Sequence, residues 1–517
     1  MNSFTYDYPV RNYFGEGAMD QALDAEMGAM GKTVMLAYGG GSVKRTGVYG
    51  HVVDKLTSAG KRVVDFGGIM PNPTYEKCQE GAALARKEQV DFILSVGGGS
   101  VFDCCKVVSA QAMLDEDIET FEHVDGKMPS SFIPMGCIVT LSGTGAEQNN
   151  GAVITNEETH VKGAYLGAMP MWAALDPALT LTVPHAQFMS GAFDTLSHCM
   201  ESYFGSPRGR NVTDDINLAI QRNVIRNMRI IADDDQNLDA RSELVYDSAM
   251  AENGVLKIGK STDFQAHMIQ HQYGAYTHTN HGMGLAVIHP ALYRHLAPEA
   301  PAQFARWASE VWGVDAKGKD NLTAALEGID RLQTFIGEMG LPTSFAEMGS
   351  DASDETLHKV ADTCVLTGGC AKKLERSEVF QILTECPIRP RRRKQEGSSF
   401  FTRSLLSFYP IVKPCGLQVR RFRNAPIGRH RNRTKPYEIQ EQMFNYYSHS
   451  FTLVCCGAIP VNSSWFVGLG RHAAESCSVS SRRRLRQILG QIRELFRNRK
   501  PAVSFLSRDK NGLVLRP

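Results

Sequence analysis

The feature that most constrains the fold is a pattern that occurs twice: a short apolar run, three glycines, a serine and then a helix-like segment. Lys32–Tyr38 leads into Gly39–Ser42, and Asp91–Val96 leads into Gly97–Ser100. Short apolar runs that alternate with helical segments are typical of a parallel sheet with helices on both faces. The first part of the chain is therefore predicted to be an α/β domain.

The rest of this part follows the same alternation, and the pattern changes near Pro184. Before that point we expect an edge strand or hairpin arm at 4–14, strands at 61–66 and 131–139, and helices at 48–58, at 75–89 and from about 101. Beyond it, apolar spacing predicts helices at 214–231, 242–255, 322–339 and 377–385, with little that indicates strands. The predicted domains are 1–183 (α/β), 184–386 (all-helical) and 387–517 (a basic tail).

Charge divides the chain at the start of this tail. The whole chain has 56 Lys and Arg against 55 Asp and Glu, but residues 387–517 hold 26 of the basic and 6 of the acidic residues. The tail therefore carries a net charge of +20 beside a body of −19. Arg-rich clusters are compatible with nucleic-acid binding, yet these lie among Ser, Pro and Cys without a fold signal. We interpret the tail as aberrant or disordered, as a shifted or read-through reading frame would produce, and expect no nucleic-acid partner.

Composition otherwise indicates a soluble protein, with 43% hydrophobic and 21% charged residues. No run approaches the roughly 20 apolar residues of a membrane helix, and the first residues lack the pattern of a secretory signal. The 12 cysteines show no metal-ligand spacing and suit reduced thiols better than a disulfide framework. A cytoplasmic protein without membrane partners is expected.

The two glycine turns indicate nucleotide binding. Backbone N–H groups and the helix dipole can hold a pyrophosphate where a strand passes through glycines into a helix. Glycines also close ordinary turns, but two such turns together with the Thr/Ser/Gly loop at 140–147 favour a dinucleotide. The Gly-x-Gly-x-x-Gly pattern of a standard Rossmann dehydrogenase is absent. Lys44 and Arg45 follow the first turn and no acid does, so NADP(H) is favoured over NAD(H).

Three later segments carry possible metal ligands. Asp194 and His198 are four residues apart in a helix-like segment, so they lie on one helix face. His267 and His271 repeat that spacing, and His281 precedes two glycines that allow close backbone approach. One carboxylate and three imidazoles suit Fe(II) or Zn(II). Acid–His pairs also occur by chance in helices, and no Cys-x-x-Cys or His-Glu-x-x-His pattern is present, so spacing alone leaves both interpretations open.

In order along the chain, the motifs are Gly97-Gly-Gly-Ser-Val-Phe-Asp103, Gly143-Thr-Gly-Ala-Glu147, Gly191-x-x-Asp194-x-x-x-His198, His267-x-x-x-His271 and His281-Gly-x-Gly-Leu. This ordered set resembles the iron-containing (group III) alcohol dehydrogenases, and within them the NADPH-dependent butanol dehydrogenase and aldehyde reductase branch. The resemblance covers about residues 1–386. It implies a dehydroquinate synthase-like α/β dinucleotide-binding domain followed by an all-helical metal-binding domain.

The resemblance also assigns residues. It implies Asp194, His198, His267 and His281 as metal ligands and His271 as a candidate for proton relay. The cofactor contacts that it implies are Gly40, Ser42, Asn72, Gly97, Gly98, Gly99, Ser100, Asp103, Thr140, Thr144, Lys162 and Leu181. Phe264 and Gln270 stand where the family commonly has Trp and Glu, which bears on substrate range.

The implied function is a metal-dependent NADP(H) alcohol dehydrogenase or aldehyde reductase, acting on a small alcohol or aldehyde such as butanol or butanal. Fe(II) is the first expectation for the metal, with Zn(II) as an alternative, and a homodimer is expected. The rival hypotheses are a glycerol-dehydrogenase-like or cyclase-like enzyme of the same fold, a non-catalytic protein with a nucleic-acid-binding tail, and a chain whose tail abolishes function.

Overall fold

The computed structural model describes residues 1–387 and two short strands in the tail, 506–509 and 512–515. Apart from those strands, the interpretation of the basic tail lies outside the described residues. The two strands pair antiparallel with each other and belong to a separate unit of the chain.

Strands dominate the first half of the described chain. They are β1 (Arg11–Phe14), β2 (Thr33–Tyr38), β3 (Arg62–Phe66), β4 (Phe92–Gly97), β5 (Met135–Val139), β6 (Gly151–Asn156), β7 (Val161–Leu166), β8 (Trp172–Leu175), β9 (Leu506–Asp509) and β10 (Gly512–Leu515).

Helices alternate with these strands and then continue alone. They are α1 (Ala18–Glu26), α2 (Ser42–Arg45), α3 (Val48–Ser58), α4 (Tyr75–Lys87), α5 (Gly99–Gln111), α6 (His185–Tyr203), α7 (Val212–Asp233), α8 (Leu238–Glu252), α9 (Gln265–Thr277), α10 (His281–Leu296), α11 (Pro301–Glu310), α12 (Asn321–Glu338), α13 (Asp354–Thr363) and α14 (Arg376–Glu385).

Six strands form one parallel sheet in the order β1-β8-β5-β4-β2-β3. Successive side chains of β2 enter different layers: Met35 and Ala37 join one buried cluster, and Val34 and Leu36 join another. Such alternation places a core on each face of the sheet. The predicted α/β fold with helices on both faces is confirmed.

β1 is shorter than the predicted strand at 4–14. Only Arg11–Phe14 pairs with β8. The residues before it leave the sheet and contact the helical part, where the Asn2 N–H donates to the Gly259 carbonyl (2.8 Å) and the Tyr6 hydroxyl to that of Asn253 (3.3 Å). These contacts end the strand at its amino side.

The sequence pattern missed the antiparallel hairpin of β6 and β7. Its register pairs Thr155 with Lys162, and only two residues of each strand are buried, Ala152 and Ile154 in β6 and Lys162 and Tyr165 in β7. The hairpin packs on α9, where the Gln272 side chain donates to the His160 carbonyl (2.9 Å). This contact brings the hairpin, and Lys162 with it, to the helical part.

The residues after β8 that the structure describes, up to 387, contain helices and no strand of the sheet. Their side chains form one buried cluster in which Phe204, Tyr293, Phe304 and Trp307 pack ring against ring. Cap residues set several helix starts: Asn237 accepts the Ala240 N–H (3.0 Å), so α8 begins four residues before the predicted helix. No helix in the described part is both long and apolar enough to span a bilayer.

Candidate active site

Three helices bring the predicted metal ligands together. α6 carries Asp194 and His198, α9 carries His267, and α10 begins at His281. The start of α10 is fixed by Asn280, whose side-chain oxygen accepts the Met283 N–H (3.1 Å) and whose amide donates to Gln187 on α6 (2.9 Å). This helix cap therefore holds His281 against α6.

Asp194 is the centre of the ligand group. Its Oδ1 lies 3.4 Å from Nε2 of His267 and 3.4 Å from Nε2 of His281. The potential ligand atoms of these three residues all lie within 4.8 Å of one another. His198 is adjacent but outside this compact group, with its Nδ1 4.0 Å from Asp194 Oδ1 and its ring 4.5 Å from that of His267.

Several of these atoms are buried without a hydrogen-bond partner among the described residues: Asp194 Oδ1, His198 Nδ1 and His267 Nε2. Orphaned buried polar atoms of this kind are costly unless something binds them. A carboxylate oxygen and imidazole nitrogens that converge on one point are the donor set of a divalent transition metal. The residues present fit the metal that the sequence predicted.

The protonation states of the imidazoles differ. Burial lowers the pKa of His281 to about 4 and that of His271 well below its usual range, so both are neutral near pH 7. Burial has the same effect on His267, but the Glu201 and Asp194 carboxylates outweigh it and raise its pKa to about 9. A bound cation would therefore displace a proton from His267.

Asp194 stays ionised despite its burial. Burial alone would raise the pKa of its carboxyl, but the surrounding imidazoles, His198 first, hold that pKa well below its usual range. Once a cation displaces the proton of His267, the ionised carboxylate stands next to neutral imidazoles and leaves net negative charge at the centre of the group. That charge favours a divalent cation.

His271 lies beside this group rather than in it. Its ring centroid is 5.1 Å from that of His281 and 5.9 Å from that of His267. Phe264, immediately before α9, lies near the other pair of imidazoles, with its ring 5.2 Å from His267 and 6.0 Å from His198. An apolar ring thus lies next to His267 and His198, and a further imidazole lies next to His267 and His281.

Most predicted cofactor residues gather at one edge of the sheet. β2, β4 and β5 are parallel neighbours, so the residues after them, Gly40, Ser42, Gly97–Ser100 and Thr140, meet at their carboxyl ends. The Thr140 N–H donates to the Gly97 carbonyl (2.8 Å). A Cβ at Gly99 would lie 2.3 Å from Thr144 Oγ1, so the glycine lets this loop approach the start of α5.

Two more predicted cofactor residues, Asn72 and Asp103, are hydrogen-bonded to the hairpin of β6 and β7, which itself carries Lys162. Lys162 Nζ donates to the Asn72 side-chain oxygen (2.8 Å), and burial lowers its pKa to about 8. Asp103, on α5, accepts the Val153 N–H (3.2 Å), and burial raises its pKa to about 6. Leu181 lies on the short helical turn Pro177–Thr182, and only the resemblance assigns it to the cofactor.

One acid lies beside the first glycine turn in the folded chain. No carboxylate follows the first glycine turn in sequence, but the structure places Asp65 of β3 3.8 Å from Lys44 Nζ. The Asp65 carboxylate also accepts the hydroxyls of Tyr38 and Tyr49, each at 2.7 Å. An acid at the end of the next strand was the available signal, because neighbouring parallel strands end at the same edge.

Comparison with known proteins identifies relatives across the described chain. The family profile of iron-containing alcohol dehydrogenase matches residues 9–177, and the C-terminal profile of the Fe-containing alcohol dehydrogenase family matches 188–386. The chain is 35% identical over 356 residues to NADH-dependent butanol dehydrogenase A of Clostridium acetobutylicum, which covers 68% of this chain and 90% of that protein. It is 35% identical over 357 residues to the NADPH-dependent aldehyde reductase YqhD of Escherichia coli, covering 68% and 91%.

A solved structure of a similar protein has the same fold. The crystal structure of NADH-dependent butanol dehydrogenase A from Thermotoga maritima superposes with a TM-score of 0.71 at 30% identity, over 75% of this chain and 99% of that one. The shared fold is thus the α/β sheet followed by the helical part.

Proposed function

This chain belongs to the iron-containing alcohol dehydrogenase family, and from that premise we propose that it reduces a small aldehyde with NADPH at the site around Asp194. Alcohol dehydrogenase and aldehyde reductase activity is the function that its relatives support. The proposal adds a direction, a cofactor and a ligand set. The observation that carries it is the convergence of Asp194, His267 and His281 with buried, unpartnered ligand atoms.

When bound, a divalent ion would polarise the carbonyl oxygen and NADPH would supply the hydride. The protein's own residues orient and enclose the reaction. Asp194, His198, His267 and His281 would hold the ion, Fe(II) first and Zn(II) as the alternative. Phe264 packs against two of these imidazoles and gives the site an apolar surface there.

His271 relays the proton of the proposed reaction. Its imidazole is neutral near pH 7, because burial and the nearby Lys162 ammonium lower its pKa. A neutral imidazole has one N–H and one lone pair, so it can give its proton to the alkoxide oxygen formed from the aldehyde while its other nitrogen takes a proton from water. In alcohol oxidation both transfers run in reverse.

The direct test is NADPH oxidation with butanal by chelator-stripped full-length protein, before and after Fe(II) or Zn(II) is added. We expect activity to return with metal in the wild type and to stay below one hundredth of that level in His267→Ala, on the order of the loss from removing a catalytic group. A folded protein that binds NADPH but turns over butanal with neither metal would contradict the proposal.

The cofactor preference rests on Lys44. Its ammonium lies at the edge that would receive a 2′-phosphate, where Asp65 opposes it. We expect Lys44→Ala to lower kcat/KM for NADPH by roughly 10- to 100-fold, the worth of a charge-assisted hydrogen bond, and for NADH by less than about threefold. Asp65→Asn, which leaves Lys44 in place, is the matched variant and should favour NADPH. Equal losses with both cofactors in Lys44→Ala would remove Lys44 from this role.

We also propose a homodimer. Phe14 on the edge strand β1 is 45% exposed and packs against Tyr246, which is 47% exposed, and an edge strand with exposed aromatic rings is suited to pairing with a second copy. Sedimentation velocity should give the mass of two chains, and a single-chain mass at micromolar concentration would exclude this.

A further inference from the structure

Two different side chains bind the imidazoles that face Asp194, each at the ring nitrogen that does not face Asp194. Nδ1 of His267 is hydrogen-bonded to Oε2 of Glu201, and Nδ1 of His281 to Oε1 of Gln270. In both rings the opposite nitrogen, Nε2, lies 3.4 Å from Asp194 Oδ1. Because each acceptor binds the Nδ1 proton through a hydrogen bond, each ring in its neutral form takes the tautomer whose Nε2 lone pair faces the site.

Glu201 binds the start of α9 as well as the His267 ring. Its side chain is 2% exposed, and besides His267 Nδ1 it accepts the backbone N–H groups of Ala266 (2.6 Å) and His267 (3.3 Å). These N–H groups belong to the first turn of α9, where Phe264 provides no side-chain cap. All three partners are donors, so an amide at position 201 would have to point its own N–H at one of them.

Gln270 is the corresponding hydrogen-bond partner of His281, but it has fewer contacts than Glu201. It is fully buried, its oxygen faces His281, and its Nε2 has no hydrogen-bond partner among the described residues. A Cβ at Gly284 would lie 2.9 Å from that Nε2, so the amide sits closely against α10. A carboxylate at position 270 would therefore replace an unpaired amide group without losing a hydrogen bond.

We propose that Glu201 and Gln270 are positioning residues that set the metal affinity of the site, with the carboxyl group behind His267 making it the stronger ligand and the amide behind His281 leaving it the weaker. This inference rests on the proposed ligand set. A carboxylate behind an imidazole raises the basicity of the ligating nitrogen more than a neutral amide does.

The test exchanges the two chemistries between the two positions. Zn(II) affinity of the full-length protein is measured by competition with a chromophoric chelator at one pH. We expect Glu201→Gln to weaken binding by roughly 10- to 100-fold, the typical loss when a hydrogen-bond partner of a metal ligand is replaced. Gln270→Glu should strengthen binding by about threefold or more, because a carboxylate makes the ligating nitrogen more basic. Ser202→Ala is the control, because Ser202 is also buried on α6 and its hydroxyl has no partner among the described residues; its affinity should stay within about twofold of the wild type.

Opposite signs at the two positions separate positioning from a purely structural role. Structural damage, such as loss of the α9 cap in Glu201→Gln, can only weaken metal binding. Weaker binding in both variants, with the Co(II) visible spectra of both unchanged, would therefore overturn the inference. So would unaltered Zn(II) affinity in Glu201→Gln. If the wild type itself binds no Zn(II), Fe(II) or Co(II), the proposed metal site fails first, and this inference fails with it.

Discussion

At the scale of single residues, neighbours decide what each histidine can do. His267 and His281 lie at the same distance from Asp194, yet the pKa of one is raised to about 9 and that of the other lowered to about 4. The difference arises because Glu201 faces His267, whereas burial dominates at His281. A motif shows which residues are present, but the carboxylates and amides behind them set their protonation.

Asp247 offers a residue-scale prediction away from the site. Its carboxyl on α8 is 5% exposed, and burial raises its pKa to about 7, although the Asn223 amide donates to it at 2.9 Å. A carboxyl with a raised folded-state pKa favours the folded protein below its unfolded pKa of about 3.9, and that contribution is lost as pH rises through 7. Asp247→Asn removes this loss.

We therefore expect Asp247→Asn to raise the free energy of unfolding at pH 8 by about 1 to 4 kcal/mol, with the gain shrinking toward zero at pH 4. Thermal unfolding followed by circular dichroism across this range measures the effect. Asp239→Asn on the exposed first turn of the same helix is the control and should show no such slope. A gain that does not depend on pH would point to packing rather than charge.

Residue identity was the part of the site most accessible from sequence. Asp194, His267 and His281 meet as expected, whereas the structure leaves His198 just outside the compact group. Glu201 carried a readable signal, since it lies seven residues after Asp194 and hence on the same helix face. Gln270 stood out only by its departure from the family pattern, and its contact with His281 could not be predicted because His281 lies on another helix.

At the scale of elements, close helix contacts hold the site in place. A Cβ at Gly282 would lie 2.1 Å from the Ser190 carbonyl oxygen of α6, and one at Gly191 would lie 2.2 Å from that of Ser142. Glycine at these positions lets α10 and the loop after β5 both contact α6. The predicted close approach after His281 is thus confirmed, and it ties the ligand helix to the cofactor edge.

Gly282→Ala tests this packing. The added methyl must push α10 away from α6, which would displace His281, so we expect metal affinity to fall by roughly tenfold or more and stability by about 1 to 3 kcal/mol, the cost of overpacking. Chelator competition and thermal unfolding measure the two effects. Gly340→Ala lies at a remote turn with nothing within 4 Å of its Cβ position, although its φ of +68° adds strain. It should lower stability without altering metal affinity; equal affinity losses in both variants would refute the packing argument.

Elements with a clear period were predictable and context-dependent ones were not. The helix at 48–58 has the predicted bounds, and β2, β3 and β4 each lie within one residue of theirs. The hairpin of β6 and β7 escaped because its strands are half-buried and their register depends on packing against α9. β8 is only four residues long and takes its place by pairing with β1 and β5.

At the scale of the whole molecule, the proposed site lies where the parallel sheet and the helical part of the chain meet. The carboxyl edge of the parallel sheet holds the predicted cofactor residues, and three helices of the second part hold the ligand group. Lys162 interacts with both groups. It donates a hydrogen bond to Asn72, a predicted cofactor residue, and its charge is one of the causes that lower the pKa of His271. A hydride donor on one side and a polarised carbonyl on the other require this juxtaposition.

The most direct test of this account is a reconstitution titration. Chelator-stripped full-length protein receives increasing Fe(II) under anaerobic conditions, and NADPH oxidation with butanal is measured at each step. We expect activity that rises linearly and stops at one equivalent of Fe(II) per chain, with no rise in Asp194→Ala. Activity that is present without metal, or that grows equally in Asp194→Ala, would contradict it.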